Sequence, residues 1–162
     1  MEWIDIVDEW NQVMGPGRRD FVHAHHLRHR ASHVVLFNPQ GELLLQQRAL
    51  CKDVFPGLWD SSAAGHVGVG ESFLDCAYRE TREELGVLPA ALILKAVFPA
   101  TAENGWEFMA LYTGEVTRTY FDYDKEEVAA LQWVSPEKLS LAMQQERGFF
   151  SPTFLMIYEF LL

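Results

Sequence analysis

Glu80, Glu83 and Glu84 crowd together near the end of a stretch, GHVGVGESFLDCAYRETREELGV (residues 65–87), that runs from a glycine-rich turn into a short predicted helix stopping at Gly86. At 3.6 residues per turn Glu80 and Glu84 are stacked neighbours, and Glu83 lies on the adjoining row. Two like charges so placed cost a helix roughly 0.2–0.5 kcal/mol. Arg79 and Glu83 form an opposite-charge pair of the kind that solvated helix faces use, so the charge pattern alone does not separate a surface helix from a metal site. A hard divalent cation would resolve the conflict. Magnesium takes oxygen ligands in near-octahedral geometry, through one or two carboxylates plus substrate phosphate oxygens. The glycines at 65, 68 and 70 let backbone approach phosphate closely, and Gly86 suits the residue after a helix end.

The wider spacing decides the matter. Gly65, Glu71, Arg79-Glu80, Glu83-Glu84 and Gly86 followed by apolar Val87 stand at intervals of five, seven, two and one residues. This resembles the Nudix box, the signature of the Nudix hydrolase family. One position departs: Thr81 stands where an aliphatic residue is usual, a change that touches helix packing more than metal chemistry. The resemblance implies an α/β (α+β) fold, the Nudix α/β/α sandwich with a mixed β-sheet and a loop-helix-loop catalytic motif. It implies Mg2+, with Mn2+ as a substitute, held by Glu80, Glu83, Glu84 and the carbonyl of Ala64. Gly65, Glu71, Arg79 and Gly86 would be structural, with Glu71 and Arg79 tying loop to helix. The implied reaction is attack of a metal-activated water on a diphosphate phosphorus. Glu83 or Glu84 would be catalytic as ligand and proton acceptor. A base from a later loop is an alternative, with Glu103, Glu107, Glu126 and Glu127 as candidates.

The run LRHRASHVVLFNPQGELLLQQRALCKDVFPGLWDSSAAGHVGVGE extends the likeness. It looks like the branch that includes isopentenyl-diphosphate isomerases and a related group of hydrolases, and with the strands that follow it covers residues 28–135. By position, Arg48 and Lys52 match basic residues that hold a diphosphate in that branch, and His66 in the phosphate-facing loop joins them as a substrate contact. The isomerase reading needs a cysteine directly before the Gly-His of the loop. Here that residue is Ala64, and the box keeps every carboxylate, so hydrolysis is preferred to isomerisation. The same carboxylates disfavour a non-catalytic nucleotide-binding module, which has no need to activate water. His33 and His66 sit where isomerases bind metal, with Glu107 near an acidic ligand. The simpler reading, a solvent-exposed basic segment containing His23, His25, His26, His29 and His33, is adopted.

A formal charge of −10 on 162 residues excludes a nucleic-acid polymer as partner, because such binding rests on many Lys/Arg phosphate contacts. A small diphosphate screened by metal remains compatible. Two cysteines, Cys51 and Cys76, are too few for a disulfide framework, and each is expected to be a buried thiol. The chain offers no run of apolar residues long enough to span a membrane, and MEWIDIVDEW does not read as a signal peptide. A cytoplasmic enzyme is expected.

Residues 1–27 read as an N-terminal extension and residues 28–162 as the Nudix hydrolase domain. Trp3 to Val7 and Gln12 to Met14 suggest a β-hairpin that could mediate a homodimer; an amphipathic helix is the rival reading. Gly15-Pro16-Gly17 is expected to break the pattern. Strands are expected over His33 to Phe37, Leu43 to Gln47, Ile93 to Phe98, Trp106 to Glu115 and Ala130 to Val134, with Lys52 to Ser62 as loop. The box helix should span Ser72 to Leu85, and Ser135-Pro136 and Ser151-Pro152 each open a further helix. Trp59, Trp106, Phe55 and Tyr112 could stack a base, although each is more often core.

Overall fold

The structure is a computed structural model describing residues 1–162. A hairpin of β1 (Trp3–Val7) and β2 (Val13–Arg18) leads into a short helix, α1 (Arg19–Ala24). The main sheet contains β3 (His29–Phe37), β4 (Leu43–Arg48), β5 (Trp59–Asp60), β6 (Ala63–His66), β7 (Ile93–Phe98), β8 (Glu107–Glu115) and β9 (Val128–Val134). The remaining helices are α2 (Phe73–Leu85), α3 (Pro136–Gln145) and α4 (Pro152–Leu161).

The sheet is mixed: β3 runs parallel to β8 and antiparallel to β6, while β4 runs antiparallel to β5 and β9. Alternation along β3 and β8 splits the core into two layers. Val34, Leu36, Ala110 and Tyr112 meet Ala77 and Leu85 of α2 on one face. Val35, Met109 and Leu111 meet Leu139 and Met143 of α3 and Phe154 and Ile157 of α4 on the other. Each large apolar side chain fully buried there contributes about 1.5–3 kcal/mol. The expected α/β/α sandwich is the observed architecture. No helix is long and apolar enough to cross a membrane.

Local chemistry explains the helix limits. Ser72, Ser135 and Ser151 each cap a helix by accepting a backbone N–H, at 3.0, 3.2 and 3.0 Å. Gly86 closes α2 with φ +68°, and a Cβ there would meet the carbonyl oxygen of Asp122 at 2.7 Å. Both left-handed backbone and close approach therefore demand glycine.

Several expectations need correction. The hairpin forms, but β2 passes through Gly15-Pro16-Gly17 to Arg18, since an edge strand tolerates a proline that has no N–H to donate. The hairpin packs against the box loop, where Gly70 donates its N–H to Asp5 at 3.0 Å and Ile4 bridges to Gly68. The basic segment after it supplies α1, and β3 begins at His29, four residues earlier than expected. Trp59 and Asp60 form β5 inside the stretch read as loop. Cys76 is buried as expected, whereas Cys51 is exposed because it follows the end of β4 on a surface turn.

Candidate active site

β6 lays Ala64, Gly65 and His66 opposite His33, Ser32 and Ala31 of β3, and α2 packs beneath this loop. The Glu84 carboxylate accepts the N–H of Ala64 at 2.9 Å and the side-chain amide of Gln46 at 3.3 Å. Arg79 organises the rest. Its guanidinium donates to both oxygens of Glu71, at 2.8 and 3.0 Å, to the carbonyl of His66 at 3.0 Å, to Glu80 at 2.7 Å and to Glu83 at 3.2 Å. Glu71 in turn accepts the N–H of Gly68 at 3.0 Å. The expected tie of Glu71 and Arg79 between loop and helix is thus present in the geometry. Burial would raise the Glu71 carboxyl, but hydrogen bonds from Arg79 and Gly68 outweigh it and hold the group below its ordinary range.

Glu80 and Glu84 behave oppositely. Burial, with Glu83 and Glu2 adding like charge, pushes Glu80 up to about 7 against the pull of Arg79. Burial and the neighbouring Glu80 push Glu84 up to about 8. Two buried carboxyls that resist ionising side by side are what a divalent cation would stabilise, so this donor set fits magnesium or manganese. Glu83 stands at the rim, its side chain 53% exposed.

Gly65 makes the arrangement possible. A Cβ at this position would lie 2.1 Å from the Glu80 carboxyl. Gly65→Ala is therefore expected to push that carboxyl out of the site, lowering kcat by about two orders of magnitude, as losing one aimed polar group does elsewhere. Far-ultraviolet circular dichroism should be unchanged, because the displaced group is the end of a flexible side chain.

A second cluster lies beside the first. One donor atom each from His23, His29, His66 and Glu107 fall within 4.8 Å of one another. His23 Nε2 is 3.1 Å from His66 Nε2, and Glu107 Oε1 is 3.2 Å from His66 Nε2 and 3.4 Å from His29 Nε2. His29 Nδ1 is 2.8 Å from the carbonyl of Leu27, which can only accept, so Nδ1 carries a proton and Nε2 is the nitrogen turned toward Glu107. That Nε2 is buried and has no hydrogen-bond partner. A buried ring nitrogen 3.4 Å from a carboxylate and without a hydrogen bond is a position a cation could fill, and the imidazole-carboxylate set suits zinc or manganese. Burial, followed by the positive potential of His66 and His29, lowers His23 to about 4, which keeps its nitrogen free to ligate. Burial alone would raise Glu107, but the imidazoles outweigh it and hold it well below the usual carboxylate range.

This cluster corrects the reading of His23, His29 and His33 as solvent-exposed, whereas His25 and His26 are exposed as expected. His29 is 0% exposed and His33 5% exposed, and the member of the cluster on β3 is His29, not His33. The signal was the alternation His29, Ala31, His33, Val35, which places both imidazoles on one inward face once the strand is extended upstream. His66, expected as a substrate contact, lines the cleft and also joins the imidazoles. His23, read as part of the exposed segment, reaches the cluster through the tertiary packing of α1.

Both clusters open into one cleft of about 880 Å³, within the size range of small-molecule sites. Arg48 and Lys52 line it, Arg48 donating to the carbonyl of Val54 at 2.8 Å and Lys52 paired with Glu127. Glu103, Glu107 and Glu127 line it and Glu126 does not. Of the aromatics considered for stacking, only Phe55 lines the cleft. Trp59 and Tyr112 pack with the core, and Trp106 lies under the guanidinium of Arg28. Glu2 and Arg19 reach the cleft from the N-terminal segment, Arg19 bridging to Asp53 at 3.0 Å.

The profile of the Nudix domain matches residues 27–154. The chain belongs to the Nudix hydrolase family. Nudix hydrolases act on pyrophosphate bonds and generally use divalent metals, and this chain is such an enzyme. It is 34% identical over 139 residues to the uncharacterized Nudix hydrolase YfcD of Escherichia coli K12, a match spanning 86% of this chain and 77% of that protein. It is 35% identical over 163 residues to an isopentenyl-diphosphate Delta-isomerase of Streptomyces coelicolor, spanning 96% and 81%. The crystal structure of DR0079 from Deinococcus radiodurans aligns with a TM-score of 0.83 at 26% identity, over 99% of this chain and all of that one. The Nudix domain of Shewanella oneidensis NrtR, solved with ADP ribose, aligns at 0.65 and 21% identity over 82% and 84% of the two chains, a likeness of fold alone.

Proposed function

We propose that this Nudix enzyme is a magnesium-dependent hydrolase that cleaves the diphosphate linkage of a nucleoside diphosphate or of a small molecule linked to one. The observation that carries the reading is the pair of Glu80, held by Arg79, and buried Glu84, held by Ala64 and Gln46, in the cleft that Arg48 and Lys52 also line. Divalent ions bound there would lower the pKa of the attacking water and neutralise charge on the diphosphate. Glu80, Glu84, rim residue Glu83 and the carbonyl of Ala64 would hold them.

The chain's own groups do the rest. Arg79 fixes Glu80 and the box loop together, so the carboxylates keep their aim as charge in the cleft changes. Arg48 and Lys52, prepositioned by Val54 and Glu127, would take diphosphate oxygens through charge-assisted hydrogen bonds. Glu84 and Glu83 are the carboxylates assigned to accept the proton that the attacking water loses. The imidazole cluster would hold a further cation in the same cleft.

The likeness to an isomerase is the reason to weigh alkene isomerisation as the second reading. No cysteine lines the cleft. The thiol nearest the loop, Cys76, contacts the carbonyls of Gly65 and His66 at 3.5 and 3.4 Å, and burial pushes it up to about 12. It cannot stand in for a cysteine at Ala64, and hydrolysis is preferred.

A panel decides between them. Purified protein with magnesium or manganese is offered nucleoside di- and triphosphates, nucleotide sugars, dinucleotides and isopentenyl diphosphate, with phosphate release and allyl product both followed. Metal-dependent hydrolysis of one nucleotide group is expected. Allyl product without hydrolysis would replace the reading, and inertness toward every compound would favour a binding module.

A further inference from the structure

β4 opens with Leu43, Leu44, Leu45 and Gln46, and all four are buried, Gln46 at 3% exposure. Leu44 packs in the layer under α2, and alternation puts Gln46 on that same face, where an apolar side chain is the ordinary occupant. A buried amide has to find hydrogen-bond partners. Its Nε2 donates to the carbonyl of Ser62 at 2.9 Å and to Glu84 Oε1 at 3.3 Å. A carbonyl can only accept, so the Ser62 contact fixes which way the amide is turned, and its two N–H groups serve two acceptors.

This fork stands at a wedge in the sheet. β3 and β4 pair at one position, Phe37 with Leu43, and then part, β3 going on to pair with β6. Ser62 fills the gap. Its hydroxyl accepts the N–H of Leu36 at 2.8 Å and donates to the carbonyl of Leu44 at 2.6 Å, joining two groups that direct strand pairing leaves apart. Two residues on, Ala64 gives its N–H to the same Glu84 Oε1 at 2.9 Å. Gln46 therefore spans from the chain entering the box loop to the carboxylate on α2. Both protein donors fall on Oε1, which leaves Oε2 of this cleft-lining residue without one.

We propose that Gln46 is a positioning residue for metal binding: together with the N–H of Ala64 it holds Glu84 Oε1, so that Oε2 is the oxygen presented to the cation. The inference rests on the metal-dependent hydrolase reading and deepens it. Without the amide, Glu84 is held by one hydrogen bond and can turn about its terminal torsion, which is broad and roughly two-fold. Partners that orient a metal ligand in this way are worth about 10–100-fold in metal affinity or activity.

Gln46→Met keeps the unbranched shape and removes both N–H groups. The magnesium dissociation constant is read, without substrate, from the rise of Tm with magnesium concentration at pH 8.5. Magnesium is used because it prefers oxygen ligands to the imidazoles nearby. Gln46→Met is expected to weaken magnesium binding about tenfold and to lower kcat by a similar factor, with KM for the nucleotide little changed. In a Glu84→Gln background the same substitution should change the dissociation constant by less than about twofold, because the group it acts through is gone. An equal change in both backgrounds, or none in either, would overturn the inference while leaving the hydrolase reading standing. Gln46→Leu repeats the measurement, and failure of both variants to melt cooperatively in chelator would make Gln46 a folding residue and overturn the inference as well. Should Glu84→Gln bind magnesium as the wild type does, the metal assignment falls, and the inference with it.

Discussion

Glu84→Gln is expected to lower kcat by roughly two to three orders of magnitude while leaving the fold intact. The substitution is nearly isosteric. A glutamine carbonyl oxygen can still accept the N–H of Ala64 and the amide of Gln46, the two hydrogen bonds that position Glu84. What is lost is the negative charge, and with it a ligand for the cation. The variant should also be the more stable protein at high pH in the absence of metal, because it no longer carries a carboxyl that burial resists ionising. Thermal unfolding in chelator at pH 5 and pH 8.5 checks this second limb. A variant that turns over at the wild-type rate would refute the assignment of Glu84 to the metal site.

The second large effect is a coupling between pH, metal and stability. In the metal-free protein Glu80 and Glu84 sit at about 7 and about 8, above the ordinary value of 4.5. The folded state therefore binds protons that the unfolded state has released, and the resulting stability is complete below pH 4.5 and lost as pH rises through 7 and 8. A carboxyl that titrates one pH unit higher in the folded protein than in the unfolded chain accounts for about 1.4 kcal/mol, so the loss is on the order of several kcal/mol and of 10 °C in Tm. Magnesium binds the ionised carboxylates and should restore stability most where the loss is greatest, at pH 8 to 9. At pH 6 the same binding should release protons. Melting curves from pH 5 to 9, with chelator and with magnesium, measure the effect; a metal-free Tm that rises across this range would contradict the sign.

The box was legible because its chemistry is local. Glu71, Arg79, Glu80 and Glu84 lie along one turn and one helix, and helical periodicity predicts which of them meet. Serine caps and the prolines after them fixed the starts of α3 and α4, and β7 has the bounds expected of it. What stayed hidden depends on long-range packing or on polar residues in buried strands. Arg30, Ser32 and the histidines disguised the first half of β3, whose inward face carries His29 and His33. The parallel partner β8 lies far away in sequence, so nothing local placed Glu107 beside His29. The six-residue α1 lacks a capping side chain and gave no signal, yet it delivers His23 and Arg19 to the cleft.

If carboxylates of α2, with divalent metal, direct water onto a diphosphate phosphorus, the oxygen of that water must end in the phosphate product. The direct test incubates wild-type protein and Glu84→Gln with a nucleoside diphosphate in ¹⁸O-enriched water, with and without magnesium, and reads the phosphate products by ³¹P NMR. The predicted result is one labelled oxygen in the phosphate product, formed only by the wild-type protein and only with metal. Labelled product at equal rates in the variant, or without metal in the presence of chelator, would contradict it.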